Sequence, residues 1–199
     1  MGWGLTSKQK VTLIITVLNQ TVVTPALPPI MAEMSIDAAT AQWLTTGFTL
    51  VNAIMIPITA FLIDRFTTRS LFIVSMAIFA LGSLLCGIAP NFPLLLTGRL
   101  AQAAGAGILM PMVMTVLMLM FPVERRGTAM GMFGVVIAFG PAIGPTVAGL
   151  VIDHYSWRDL FLAIAVFSAI VIAVTPFVLQ KQKPHSEGVV LDKPSLILS

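Results

Sequence analysis

Arg99 is the residue in this sequence with the most chemistry to account for. It sits about five or six residues inside an apolar run over 93–120, and Gln102 follows one helical turn deeper. A guanidinium in hydrocarbon costs at least about 3 kcal/mol unless it is paired or hydrated, which makes Arg99 a candidate functional group and Gln102 a candidate to share its ligand or its partner. The competing reading is that Arg99 snorkels to the outer surface, since Asn91 and Phe92 mark an interface nearby. Two other stretches carry polar stripes. Counted at roughly 100° per residue, Thr12, Thr16, Asn19 and Gln20 fall within about 100° of one another, and Thr45, Thr49, Asn52 and Thr59 within about 80°. Polar side chains in a bilayer face protein or a water-filled cavity, so the two stripes are expected to line a common cavity. Against this stands simple helix joining, each hydrogen bond being worth about 0.6–2 kcal/mol.

Enzyme chemistry has no comparable foothold. Glu33, Asp37, Asp64, Glu124, Asp153 and Asp159 all flank apolar runs, so no obvious intramembrane carboxylate is available to carry a proton. His154 lies near the end of a run and His185 in the tail. Cys86 is the single cysteine and lies in an apolar run, which excludes a disulfide framework or a cysteine metal site. Metal-ligand spacing, a nucleophile elbow and a phosphate loop are absent from the sequence, and Gly105-Ala106-Gly107 in an apolar helix is packing rather than nucleotide binding.

The elements that position these residues follow from composition. Of 199 residues 57% are hydrophobic and 10% charged, against about 25% charged in a soluble domain. With a mean hydropathy of +0.98, the chain cannot cover a water-soluble surface and must be an all-α membrane protein that partners a lipid bilayer. Charges and turn residues delimit six apolar blocks, at about 11–32, 43–63, 71–89, 93–120, 127–152 and 158–179, each long enough to span as a helix. Residues 1–10 form a short terminus, 11–179 the transmembrane bundle, and 180–199 a polar, proline-containing tail. The first block is too long for a signal peptide and lacks a small-residue cleavage site. Lys8, Lys10, Arg65, Arg69, Arg125, Arg126, Lys181, Lys183 and Lys193 all fall on one side of such a bundle and Arg158 on the other. Both termini are therefore expected in the cytoplasm of a multi-pass cell-membrane protein. The net charge of +3 is thus topological, and no nucleic-acid partner is implied. Leu196, Ile197, Leu198 and Ser199 look like the opening of another apolar segment, so the sequence is expected to be part of a longer chain.

The fifth block is unusual. Gly127, Gly131, Gly134, Ala138, Pro141, Pro145 and Ala148 share one helical face, with Gly140, Gly144 and Gly149 beside it. Such a face admits another helix almost to backbone contact, and the two prolines remove backbone donors and bend the helix. It suits a moving interface or static close packing equally. Met110, Met112, Met114, Met118 and Met120 offer either an adaptable binding surface or ordinary packing. Trp43 and Trp157 are expected as anchors at the outer interface.

Taken together the motifs resemble the amino-terminal half of a major facilitator superfamily transporter, in the fourteen-helix drug/proton antiporter subfamily of the EmrB and QacA type. Residues 18–28, Leu-Asn-Gln-Thr-Val-Val-Thr-Pro-Ala-Leu-Pro, look like that subfamily's Leu-Asp-x-Thr-(Ile/Val)-Val-Asn-Val-Ala-Leu-Pro signature. Asn19 replaces the aspartate, as in a Gram-positive branch similar to the lincomycin-resistance exporters, and Pro25 stands where valine is usual. Residues 60–69 are similar to the Gly-x-Leu-Ala-Asp-Arg-x-Gly-Arg-Lys loop, with Ala60 and Thr67 for its glycines and Asp64, Arg65 and Arg69 retained. Residues 99–111 resemble the Arg-x-x-Gln-Gly-x-Gly-Ala-Gly run, departing at Ala103. Gly140, Pro141, Gly144, Pro145 and Gly149 match the antiporter motif, with Ala148 for one glycine, and Trp157-Arg158-Asp159-Leu160-Phe161 resembles Trp-Arg-Trp-x-Phe.

The resemblance implies a proton-driven exporter of small amphipathic drugs, using no cofactor beyond the proton gradient. It implies alternating access against a second six-helix half, supplied by the same chain, another copy or a partner polypeptide. Arg99 would take part in proton coupling and, with Gln102, Asn19, Gln20, Thr45, Thr49 and Asn52, line the cavity. Asp64, Arg65 and Arg69 would latch the cytoplasmic side, and the fifth helix would slide. A non-transporting membrane bundle is the alternative. An uptake symporter conflicts with the antiporter motif, and a membrane enzyme lacks its catalytic groups.

Overall fold

The computed structural model describes residues 23–120 and 122–178, and they are helical throughout apart from short turns. The elements are α1 (23–34), α2 (Ala38–Arg65), α3 (Thr68–Gly87), α4 (Phe92–Met120), α5 (Val123–His154) and α6 (Trp157–Val178). Among the described residues α2, α3 and the Phe92–Thr115 part of α4 are long and apolar enough to cross a membrane. Leu50, Ile54, Leu81, Phe139, Val166 and Ile170 are exposed on the outside of the bundle, as side chains that face lipid would be.

Local chemistry sets the turns. Ser35 adopts the left-handed region (φ 51°) and Ile36 N–H reaches back to the Met31 carbonyl, closing α1 with a Schellman-type bond. Asp37 then caps α2, its carboxylate accepting from Thr40 N–H at 2.9 Å, which holds the acid below the usual carboxylate range. That cap lets α2 start well before the apolar block that begins at 43. Thr67 caps α3 and Asn91 accepts from Leu94 N–H at the start of α4. Ser156 and Asp159 cap α6 reciprocally, Ser156 Oγ accepting from Arg158 N–H while Asp159 accepts from Ser156 N–H.

Spatial neighbours are not sequence neighbours. α4 is the central helix, packed between α2 and α3, and α3 in turn packs on α6, while α2 and α3 barely meet. α5 touches α4 and α6 only lightly. At one end of the bundle, where the α1–α2, α3–α4 and α5–α6 turns lie, Val23, Ala26, Ile30, Leu44, Leu95, Trp157 and Phe161 form a core. Phe48, Phe79, Ala103 and Ala106 fill the middle. Toward the α2–α3 turn Leu71, Phe72, Met76, Ile108, Leu109 and Met112 close the other end.

The α3–α4 contact is backbone to backbone. A Cβ built on Gly82 would stand 2.6 Å from Gln102 N and 2.7 Å from the Gly98 carbonyl. One on Gly105 would stand 2.6 Å from the Ser75 carbonyl. Only glycine permits that approach, and in lipid such close packing replaces the hydrophobic drive that joins helices in water.

Candidate functional site: a buried arginine where three helices meet

Arg99 sits about two turns into α4, and with 1% of its surface exposed it does not snorkel. Its Nη1 donates to Gln102 Oε1 at 2.8 Å, and its Cζ lies 4.3 Å from the centre of the Phe48 ring on α2. Gln102 Nε2 donates to Ser83 Oγ on α3 at 2.7 Å, and Ser83 donates to the Phe79 carbonyl at 2.8 Å. Cys86, also on α3, lies with Sγ 4.0 Å from Gln102 Oε1. A charge-assisted hydrogen bond contributes about 1.5–3 kcal/mol and a desolvated cation–π contact about 2. Together they are of the same order as the cost of placing the guanidinium in the interior. A fixed cation here favours the ionised form of any acid brought near it.

The α2 stripe divides. Thr49 is exposed, its hydroxyl donating to the Thr45 carbonyl at 2.9 Å, and Thr45 is half-buried. Thr59 departs from the cavity expectation: it is fully buried and turned to α4, its Oγ1 3.2 Å from the Gly107 carbonyl and 2.7 Å from the Met55 carbonyl of its own helix. Pro111 explains the joint. Lacking an N–H, it leaves the Gly107 carbonyl four residues earlier without its usual helical donor, and the Thr59 hydroxyl reaches it from α2, its one proton shared with the nearer Met55 carbonyl. Asn52 completes the contact, its carbonyl and Oδ1 lying 3.1 and 3.2 Å from where a Gly107 Cβ would stand. Thr59→Val is expected to cost about 1–2 kcal/mol by orphaning that carbonyl, whereas Thr59→Ser should stay near the parent. Thermal unfolding in detergent checks this, and a Thr59→Val protein as stable as the parent would show that the hydroxyl contributes nothing to the joint. Thr12, Thr16, Asn19 and Gln20 lie outside the described residues.

Asp64 and Arg65 are exposed and Arg69 is half-buried at the α2–α3 turn. Arg65 stacks its guanidinium 4.5 Å over Phe61. Among the described residues these three form no ion pair with one another. The antiporter-motif residues all lie on α5, which continues as helix through Pro141 and Pro145. Gly144 is buried, Pro145 exposed and Gly149 half-buried. A Cβ at Gly127, Gly131, Gly134 or Gly149 would meet nothing within 4 Å among the described residues. Ala148 of this stretch is packed, against Leu160 of α6.

At the opposite end the motif-like segment singles out Trp157 and Arg158, and what spacing does not reveal is their partner Glu33. Arg158 pairs with Glu33 at the end of α1 and donates through Nη2 to the Ala89 carbonyl at 2.9 Å, while its Cζ lies 4.4 Å over the Trp157 ring. Trp157 is not an interfacial anchor. It is 2% exposed, edge-on to Phe161, and its indole N–H donates to Glu33 Oε2 at 2.6 Å. Hydrogen bonds from Arg158 and then Trp157 hold Glu33 below its usual value. A lowered carboxylate contributes stability above the ordinary carboxylate range and loses it as pH falls through its folded value. The unfolding midpoint of the parent should therefore fall on acidification from about pH 5 to pH 3. Glu33→Gln should start lower and lose this component of the pH dependence, and an unchanged slope would show that the pair contributes nothing.

Comparison with known proteins places these features. The profile described as Major Facilitator Superfamily matches residues 11–196. The chain is 50% identical over 187 residues to the uncharacterized MFS-type transporter YhcA of Bacillus subtilis (strain 168), covering 94% of this chain and 35% of that protein. It is 41% identical over 147 residues to the lincomycin resistance protein LmrB of the same organism, covering 74% of this chain and 31% of LmrB. The chain thus spans about a third of the length of the curated relatives it matches. In fold it is similar to a bacterial homolog of the human lysosomal transporter Spinster in an inward-facing, unoccupied conformation, with a TM-score of 0.73 at 18% identity over 96% of this chain and 48% of that one.

Proposed function

Because the chain belongs to the Major Facilitator Superfamily, we propose that it forms about half of a proton-driven exporter of amphipathic drugs. Six helices with both termini in the cytoplasm would make one bundle in the cytoplasmic membrane. A second bundle, from a continuation of the chain, another copy or a partner polypeptide, would rock against it with substrate near the midplane. The observation that carries this reading is the set of α5 glycines, Gly127, Gly131, Gly134 and Gly149, whose Cβ positions meet nothing within 4 Å among the described residues, beside the close packing of α2 and α3 on α4. The relative LmrB is named for lincomycin resistance, which fits an exporter. In this scheme Arg99 is the fixed cation of the coupling site, held by the buried Gln102, with Thr45, Thr49, Asn52, Asn19 and Gln20 toward the cavity. Asp64, Arg65 and Arg69 latch the cytoplasmic side through groups on the second bundle. Such exposed ion pairs are made and broken by rigid-body motion. The proton-carrying carboxylate belongs to that bundle.

The test is transport of ethidium in inverted vesicles from cells expressing the full reading frame. Uptake into the vesicles that starts with an imposed pH gradient and collapses with an uncoupler is the expected result. A folded protein inert to the dye under every gradient would favour a non-transporting bundle instead.

A further inference from the structure

The geometry points to Ser83 as the residue that sets the orientation of the Gln102 amide, and through it to Ser83 and Phe48 as the positioning residues of Arg99. This deepens the coupling role given to Arg99 above and rests on it.

Each link has a fixed direction. A serine hydroxyl has one proton to give, and Ser83 gives it to the Phe79 carbonyl of its own helix at 2.8 Å. Its oxygen is then left to accept, and the group that donates to it, at 2.7 Å, is Gln102 Nε2. With the amide nitrogen so engaged on α3, Oε1 faces α4 and accepts from Arg99 Nη1 at 2.8 Å. If the amide turned over, its NH₂ group would meet the guanidinium, donor against donor. Phe48 adds a second constraint, its ring face lying under Cζ at 4.3 Å. Ser83 and Gln102 are both fully buried, so no exposed water competes for the hydroxyl or the amide. α3 also brings the Cys86 thiol to this cluster, 4.0 Å from Gln102 Oε1, and α2 brings Phe48.

Ser83 is remote from the guanidinium and acts only through Gln102, so its loss should alter the setting of the charge more than the amount of folded protein. In the full reading frame, Ser83→Ala is expected to shift the midpoint of the pH profile of ethidium transport by about one unit. Ser83→Thr, which keeps a hydroxyl able to bond the same carbonyl, should restore the parent profile. Phe48→Leu, which keeps apolar bulk and removes the ring face, should shift the profile in the same direction as Ser83→Ala. Expression and unfolding temperature are measured alongside. A parent that transports with gradient dependence while Ser83→Ala and Phe48→Leu keep its profile would overturn this inference and leave the transport reading standing. Equal shifts in Ser83→Ala and Ser83→Thr would also overturn it, since the hydroxyl would then be irrelevant. A parent with no gradient-dependent transport would overturn the transport reading, and the inference with it.

Discussion

Gly82→Leu is expected to abolish accumulation of folded protein. The Cβ alone would stand 2.6 Å from Gln102 N and 2.7 Å from the Gly98 carbonyl, and both are backbone atoms of α4 with no rotamer to retreat into. Ordinary overpacking costs about 1–3 kcal/mol because side chains shift to absorb it. Here the helix itself must move. Separating α3 from α4 breaks the Gln102–Ser83 bond and opens the matching contacts at Gly98 and Gly105. Those losses together approach the whole stability of a typical domain, about 5–15 kcal/mol. Fluorescence-detected size exclusion of a tagged protein would read the effect, with Gly82→Ala expected to lie between parent and Gly82→Leu. A monodisperse Gly82→Leu protein at parental yield would refute the backbone contact between α3 and α4.

How far such contacts can be read from sequence differs between helices. The helical, bilayer-suited character of the chain followed from composition, and Arg99 with Gln102 stood out because charge and amide are rare inside apolar runs. Their partners did not stand out. Ser83 and Phe48 are ordinary residues on apolar helices, and only the packing of α2 and α3 on opposite sides of α4 brings them to the guanidinium. Thr59 shows a related limit. Helical spacing gives angles about a helix's own axis and says nothing of which neighbour lies in that direction, so a stripe that looks like a cavity wall contains a residue bonded to α4. Pro111, with the carbonyl it orphans, was the available signal. Glu33 and Arg158 stand 125 residues apart, and their pairing depends on α1 and α6 being neighbours, which periodicity does not encode. Small residues show the same limit in reverse. The dense glycine face on α5 drew attention to close packing, yet the closest backbone-to-backbone approaches among the described helices are made on α3 and α4 by Gly82, Gly98 and Gly105, of which only Gly105 reads as packing from the sequence.

That reversal yields the sharpest functional test. Gly149→Leu is expected to abolish ethidium transport while leaving the amount and unfolding temperature of the protein at or above parental values. A Cβ at Gly149 meets nothing within 4 Å among the described residues, so the first atom of the added side chain meets no obstacle among them. Replacing a helical glycine also removes a backbone-entropy penalty of about 0.8–1 kcal/mol, which favours the variant's folding. If the α5 face is a sliding surface for a second bundle, the same side chain stands where another helix must come close to backbone contact, and alternating access stalls. Gly149→Ala, adding one methyl group, should retain a measurable part of the activity. Gly82→Leu and Gly149→Leu make the same chemical change on two glycine faces of one bundle, and the structure expects opposite outcomes for folding. Unimpaired transport in Gly149→Leu would remove the sliding role from α5, and a joint loss of folding and transport would make the face a static contact.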